Sequence, residues 1–90
     1  MTSFVEAHID FIDEQIKKYN FSVYIRRKRS KRWSIDVFWP GQCKRGGDMQ
    51  ISHVESESFE DAIEETSINL KKWLETHKEE LENYEANRNM

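Results

Sequence analysis

Phe21-Ser22-Val23-Tyr24-Ile25-Arg26-Arg27-Lys28-Arg29-Ser30-Lys31-Arg32-Trp33-Ser34-Ile35-Asp36-Val37-Phe38-Trp39 holds two runs of strict alternation around a basic centre. Phe21, Val23 and Ile25 point one way, and Ser22, Tyr24 and Arg26 the other. Beyond the basic centre, Trp33, Ile35, Val37 and Trp39 alternate with Ser34, Asp36 and Phe38. A period of two with one apolar face marks a strand. The parity of the runs then constrains the turn between them. A two-residue loop at Arg29-Ser30 sets Ile25 opposite Ser34 and turns the two apolar faces to opposite sides of the sheet. An odd loop such as Arg29-Ser30-Lys31 brings Ile25 opposite Ile35 and Val23 opposite Val37. The expectation is an antiparallel hairpin with a loop of three or five residues, or a bulge, and Arg26 to Arg32 as its tip.

Upstream, Ser3 with Glu6 reads as a capping box. Val5, Ile9, Ile12, Ile16 and Tyr19 recur at helical spacing, flanked by Phe4, His8 and Phe11. Lys17 and Lys18 suit the negative end of a helix dipole, and Asn20 suits a left-handed terminator. A helix is expected over Phe4 to Tyr19. Downstream, Pro40-Gly41 and Gly46-Gly47 are turn signals around a mobile loop, Gln42 to Arg45. Met49, Ile51 and His53 then alternate with Gln50, Ser52 and Val54 in a short third strand. Ser58 with Asp61 caps a second helix. Its stripe of Phe59, Ala62, Ile63, Thr66, Leu70, Trp73, Leu74, His77, Leu81 and Tyr84 is continuous to about Ala86.

The fold expected is α+β, in the order α-β-β-β-α. It is a three-stranded antiparallel meander with both helices on one face and a long C-terminal helix. One domain spans 1–90, with 85–90 frayed. A last helix near 40 Å, at about 1.5 Å per residue, outruns a strand of about 23 Å. His77, Leu81 and Tyr84 should therefore overhang, against the glycine-flanked loop or another subunit. The outer sheet face should carry Ser22, Tyr24, Arg26, Arg32, Ser34, Asp36, Phe38, Gln50 and Ser52.

The formal net charge of -3 hides a segregation. Residues 15–50 balance at +8, residues 1–14 at -4 and residues 51–90 at -7. A bipolar molecule follows, for which the overall charge is a poor guide to partners. With eleven aromatics in 90 residues the chain is not disordered. A single cysteine, Cys43, excludes an internal disulfide framework. No apolar run approaches the roughly 20 residues of a membrane span, and acids interrupt every candidate leader segment. A cytoplasmic protein without membrane contact is the expectation.

Arg26, Arg27, Lys28, Arg29, Lys31 and Arg32 are the first candidate binding residues. A tip this basic suits phosphate contact, where cations gain affinity by releasing counterions. The competing reading is internal neutralisation by Glu57, Glu60, Asp61 and Glu64, which open the second helix at the same end. Tyr24 and Phe38 extend the candidate site as aromatics that stack bases or anchor a partner. Catalysis has weak support. Cys43 and His53 lack a third orienting group, His8 and His77 sit on apolar stripes, and Gly46-Gly47 lacks the strand-to-helix context of a phosphate loop. No cofactor and no metal is implied.

The element order is similar to that of double-stranded-RNA-binding domains, which also use their first hairpin loop. That family opens its last helix on a basic stretch; here Ser58-Phe59-Glu60-Asp61-Ala62-Ile63-Glu64-Glu65 stands in its place, and the loop lacks the family's Gly-Pro-x-His pattern. Ser58-Phe59-Glu60-Asp61-Ala62-Ile63 also resembles the helix start of HicB-type antitoxins, whose Pro-Gly-Cys lies nearer that helix than Pro40-Gly41 does here. Neither resemblance transfers a residue role. The function expected is a small non-enzymatic binding module whose basic hairpin contacts nucleic acid, or an acidic or nucleoprotein partner. The alternative is an inhibitor or regulator of the kind phages and mobile elements encode against host defence, acting by protein–protein contact, with the acidic helix 59–85 as a nucleic-acid mimic. A homodimer through the edge strand 49–54 or the overhang 77–84 is a third possibility.

Overall fold

The computed structural model describes residues 4–41 and 47–88. The expected cap at Ser3, the loop Gln42 to Arg45 with Cys43, Gly46 and the end of the chain at 89–90 lie outside the described residues. The elements are α1 (Phe4–Tyr19), β1 (Ser22–Arg27), β2 (Trp33–Trp39), β3 (Met49–Ser56), α2 (Phe59–Thr76) and α3 (Lys78–Arg88). The strands form one antiparallel sheet in the order β1-β2-β3. This is the α+β meander read from the alternation, with the last helix divided in two.

The hairpin has the register that parity required. Val23 pairs with Val37, Ile25 with Ile35 and Arg27 with Trp33. The Lys31 N–H donates to the Lys28 carbonyl at 2.8 Å, and the Lys28 N–H donates to the Arg32 carbonyl at 2.8 Å. Arg29-Ser30-Lys31 is therefore a three-residue loop. Its last residue, Lys31, has φ 66°, the left-handed position such loops use to rejoin the strand twist. Asn20, at φ 62°, ends α1 in the same conformation, with its N–H donating to the Ile16 carbonyl at 2.8 Å.

The third strand departs from simple alternation. Val37 pairs with Ser52 but Phe38 pairs with Gln50, so Ile51 is one residue extra. A bulge of this kind reverses the facing of everything beyond it. Ser52, expected on the outer face, instead turns toward α2, where it is buried and its Oγ accepts from Asn69 Nδ2 at 3.2 Å. His53 turns outward, opposite Asp36.

Ser58 caps α2 as expected, its Oγ accepting the Asp61 N–H at 3.3 Å. α2 packs along β3 and β2, and α1 packs on α2. The two helices run in the same direction. Ile9 and Ile12 lie near Phe59 and Ile63, and Lys18 and Tyr19 lie near Leu74 and Lys78. Both helices lie on one face of the sheet, but α1 packs on α2 more than on β1. Its buried residues are Ile12, Gln15 and Tyr19, a stripe rotated toward α2, where Lys71 sits 5.0 Å from the Phe11 ring. Ile9 and Ile25 consequently stay 40% and 47% exposed across an apolar cleft. Ile68, off the α2 stripe, is an exposed single residue.

The helical pattern beyond Thr76 is real, but the helix does not run straight through it. At His77 the backbone leaves the helical region, with φ -108° and ψ 25°. The His77 N–H and Nδ1 both donate to the Trp73 carbonyl, at 2.9 and 3.0 Å, and the imidazole stacks on the Trp73 indole at 4.2 Å. Thr76 Oγ1 donates back to the Lys72 carbonyl at 3.0 Å. Side-chain bonds of this kind compete with the helical ladder and bend it. The overhang is thereby folded back: Leu81 is buried and Tyr84 packs on Trp39 at 5.4 Å between ring centroids. α3 runs to Arg88, whose Nη1 donates to the Lys18 carbonyl at 2.7 Å while Lys18 pairs with Glu85 at 3.5 Å.

Trp39 joins these parts. Its indole N–H donates to the Tyr19 carbonyl, the last of α1, at 3.1 Å. Its ring meets Phe21 and Trp73 edge-on at 5.9 and 5.5 Å. Trp39→Ala is expected to lower the unfolding free energy by about 3–5 kcal/mol through lost packing. Trp39→Phe keeps a ring but leaves the Tyr19 carbonyl unpaired, at a cost of about 1–3 kcal/mol. Lys31→Gly is expected to stabilise by about 0.5–1 kcal/mol, relief of the left-handed penalty less glycine's entropy. Urea unfolding followed by circular dichroism measures all three.

Candidate functional site

The candidate site is the β1–β2 hairpin and the outer sheet face below it. β2 is the central strand, so its outward side chains lie in a trough between those of β1 and β3. Ser34 and Asp36, expected to be open to solvent, are 0% and 6% exposed for this reason. A carboxylate so placed needs partners. Asp36 has two: Arg26 Nη2 from β1 at 3.5 Å, and His53 Nδ1 from β3, which donates to Asp36 Oδ1. The other His53 nitrogen, Nε2, faces Glu55 at 3.5 Å.

Glu55 is the second node. Lys28 Nζ reaches across the base of the loop to Glu55 Oε1. Arg32 Nη2 donates to the Glu55 carbonyl at 3.5 Å, and Arg32 Nη1 lies 3.9 Å from Glu57. The acids that answer the basic run are therefore Glu55, Glu57 and Asp36 on the sheet. Among the described residues, Glu60, Asp61 and Glu64 at the start of α2 make no ion pair with it. The Lys28 hydrogen bond is the main reason that the Glu55 carboxyl titrates below the ordinary glutamate range, with the charges of Lys28, His53 and Arg32 adding to it.

The predicted site residues thus separate into four groups. Arg26, Lys28 and Arg32 are tied to acids. Arg27 turns to the helix side, with its guanidinium 5.6 Å from the Trp33 ring, within cation–π range. Arg29 and Lys31 stand at the tip, exposed, and among the described residues neither makes an ion pair. Tyr24 and Phe38 meet edge to face at 5.8 Å, with Tyr24 53% exposed. Tyr24 lies about 13 Å from the loop and Phe38 about 20 Å, at roughly 3.3 Å per residue. The tip cations and the aromatics are therefore two patches and not one. Asp36, His53 and Glu55 are participants that sequence reasoning missed. The cross-strand position of Asp36 was legible, but the side of His53 depended on the bulge at Ile51.

An Asp–His pair is half of a nucleophile-activating set. Here the imidazole's other nitrogen faces a carboxylate, and the nearby Ser34 Oγ is buried without a hydrogen-bond partner. Among the described residues, none places a nucleophile on this histidine; Cys43 lies outside them. Among the described residues no three His, Cys, Asp or Glu side chains converge to hold a metal ion, and no helix is long and apolar enough to cross a membrane.

No family model, no curated protein and no solved structure matches this chain.

The lowered Glu55 pKa gives a signed expectation. The folded state binds this proton less readily than the unfolded chain, so the contribution is full above the ordinary glutamate value, about 4.3. It is lost as pH falls through the lowered value. Urea midpoints should drop as pH is lowered through that window, and Glu55→Gln should flatten the drop; superimposable pH profiles for the two proteins would contradict the pairing.

Proposed function

We propose that the chain is a non-enzymatic binding module that presents the tip of the β1–β2 hairpin to a polyanion, nucleic acid or the nucleic-acid face of a nucleoprotein. One observation carries this reading. Arg29 and Lys31 are exposed and, among the described residues, without ion pairs, while their neighbours Lys28 and Arg32 pair with Glu55 and Glu57. The pinned neighbours fix the direction of the tip, and the free cations are what it presents. Arg27, beside Trp33 at the base of the loop, adds a third charge. Cations already separated from acids have no ion pair to break on meeting phosphate, and they release the phosphate's counterions.

A second reading, an inhibitor or regulator that acts by protein–protein contact, is favoured by a different observation: the uncovered cleft between α1 and β1. The acidic surface of α2 and α3 as a nucleic-acid mimic belongs to this reading.

Titration of a fluorescent duplex DNA between about 50 and 200 mM salt tests the first reading. Three phosphate contacts should give a slope of log Kobs against log salt of about -2 to -3. Replacing Arg29 and Lys31 together by Ala should weaken binding and reduce the slope by about 2, with the circular dichroism unchanged. An unaltered slope in that variant would show that the tip is not the contact. Recovery of one stoichiometric protein partner, with no nucleic acid retained, would favour the second reading.

A further inference from the structure

β1 is an edge strand with an unoccupied hollow on each of its two faces. On the helix side the cleft of about 260 Å³ lies beneath α1, lined mostly by apolar residues that include Ile9, Ile16, Val23, Ile25 and Phe59, with Asp13 its one charged member. On the outer side a hollow of about 440 Å³ is lined by Tyr24, Arg26, Asp36 and Phe38, and it too touches Val23 and Ile25. The edge between them is regular. The Lys28 N–H bond to the Arg32 carbonyl sets the phase of the ladder. Alternation along an antiparallel pair then turns Ser22, Tyr24 and Arg26 to β2, and the backbone groups of Val23, Ile25 and Arg27 to the open edge. The opposite edge differs: β3 is bulged at Ile51, and Ser52 and Val54 are buried. Bulges are one of the ways an edge is closed to further pairing.

We infer that the β1 edge binds an extended, acidic segment of a partner protein as a fourth strand of the sheet. Main-chain bonds to Val23, Ile25 and Arg27 supply the pairing, and alternate side chains enter the two hollows. The inward side chains are aliphatic, because the cleft beneath α1 is apolar. The outward ones are acidic, because they meet Arg26, whose side chain is 68% exposed despite its contact with Asp36. A second copy of this chain is the wrong occupant on charge. β1 reads Ser22-Val23-Tyr24-Ile25-Arg26-Arg27 and has no acid. In no register of β1 against itself does either arginine meet a carboxylate, and like charges across a strand pair are destabilising. The inference stands whether or not the tip binds nucleic acid.

The test uses the full chain and a capped heptapeptide alternating Glu with Ile, Val and Leu. Binding is followed by isothermal titration, with amide exchange read by NMR. The peptide should bind the monomer and slow exchange at Val23, Ile25 and Arg27 without changing Tyr24 and Arg26. The same peptide with Lys for Glu, or N-methylated at its central outward-bonding residue, should bind about tenfold or more weakly. Ile25→Lys and Ile9→Glu, both at exposed positions, should weaken binding as much while the circular dichroism holds. Arg29→Ala with Lys31→Ala should leave peptide binding intact, which separates this site from the tip. Equal affinity for the Lys peptide, or no protection at Val23 and Ile25, overturns the inference. So does a concentration-dependent dimer that Ile25→Lys dissociates, which would put a second copy on the edge.

Discussion

The hydrogen bond from the Trp39 indole to the Tyr19 carbonyl links the end of the central strand to the end of the first helix. Everything else at that end of the molecule is arranged around it. Phe21, Trp73 and Tyr84 each contribute an edge contact to the same indole, and they come from the α1–β1 connection, α2 and α3. Aromatic pairs in this geometry contribute about 0.5–1.5 kcal/mol each beyond their area. The bond also answers a carbonyl that the helix terminus leaves without an intrahelical partner. The break at His77 lies between two of these contacts, Trp73 before it and Tyr84 after it.

The other end obeys a different constraint. Placing Asp36 on the central strand puts a carboxylate in a trough between two rows of longer side chains. It is retained with Arg26 on one side and His53 on the other, and the chain of contacts continues through Glu55 to Lys28 and Arg32. The exposed pairs among these add little stability individually, while the buried Asp36 needs its partners. Their effect is geometric: they tie the hairpin base to β3 and sort six basic residues into those held internally and those presented outward. A count of charges in the run overstates what a partner meets.

Much of this was legible one residue at a time. Strict alternation on both sides of the basic run, with its parity, required an odd loop, and Lys31 takes the left-handed position that closes it. Asn20 as a terminator and Ser58 as a cap were readable because both devices are local. Three features were not. The bulge at Ile51 leaves no mark in a strand where Met49, Ile51 and His53 alternate perfectly well. The lean of α1 toward α2 is invisible because Ile9 and Ile12 are equally apolar, and only packing chooses between them. The turn at His77 falls inside an unbroken amphipathic stripe.

The sequence by itself determined the element types, the hairpin register and the segregation of charge, since these follow from periodicity, parity and composition within short stretches. Tertiary structure alone decided which cations are free, which face His53 occupies and which edge lies uncovered. Each of those depends on contacts between residues far apart in the chain: Lys28 with Glu55, Asp36 with His53, and the distance α1 keeps from β1. No local pattern encodes such pairings, because the energy that selects them appears only when the surfaces meet.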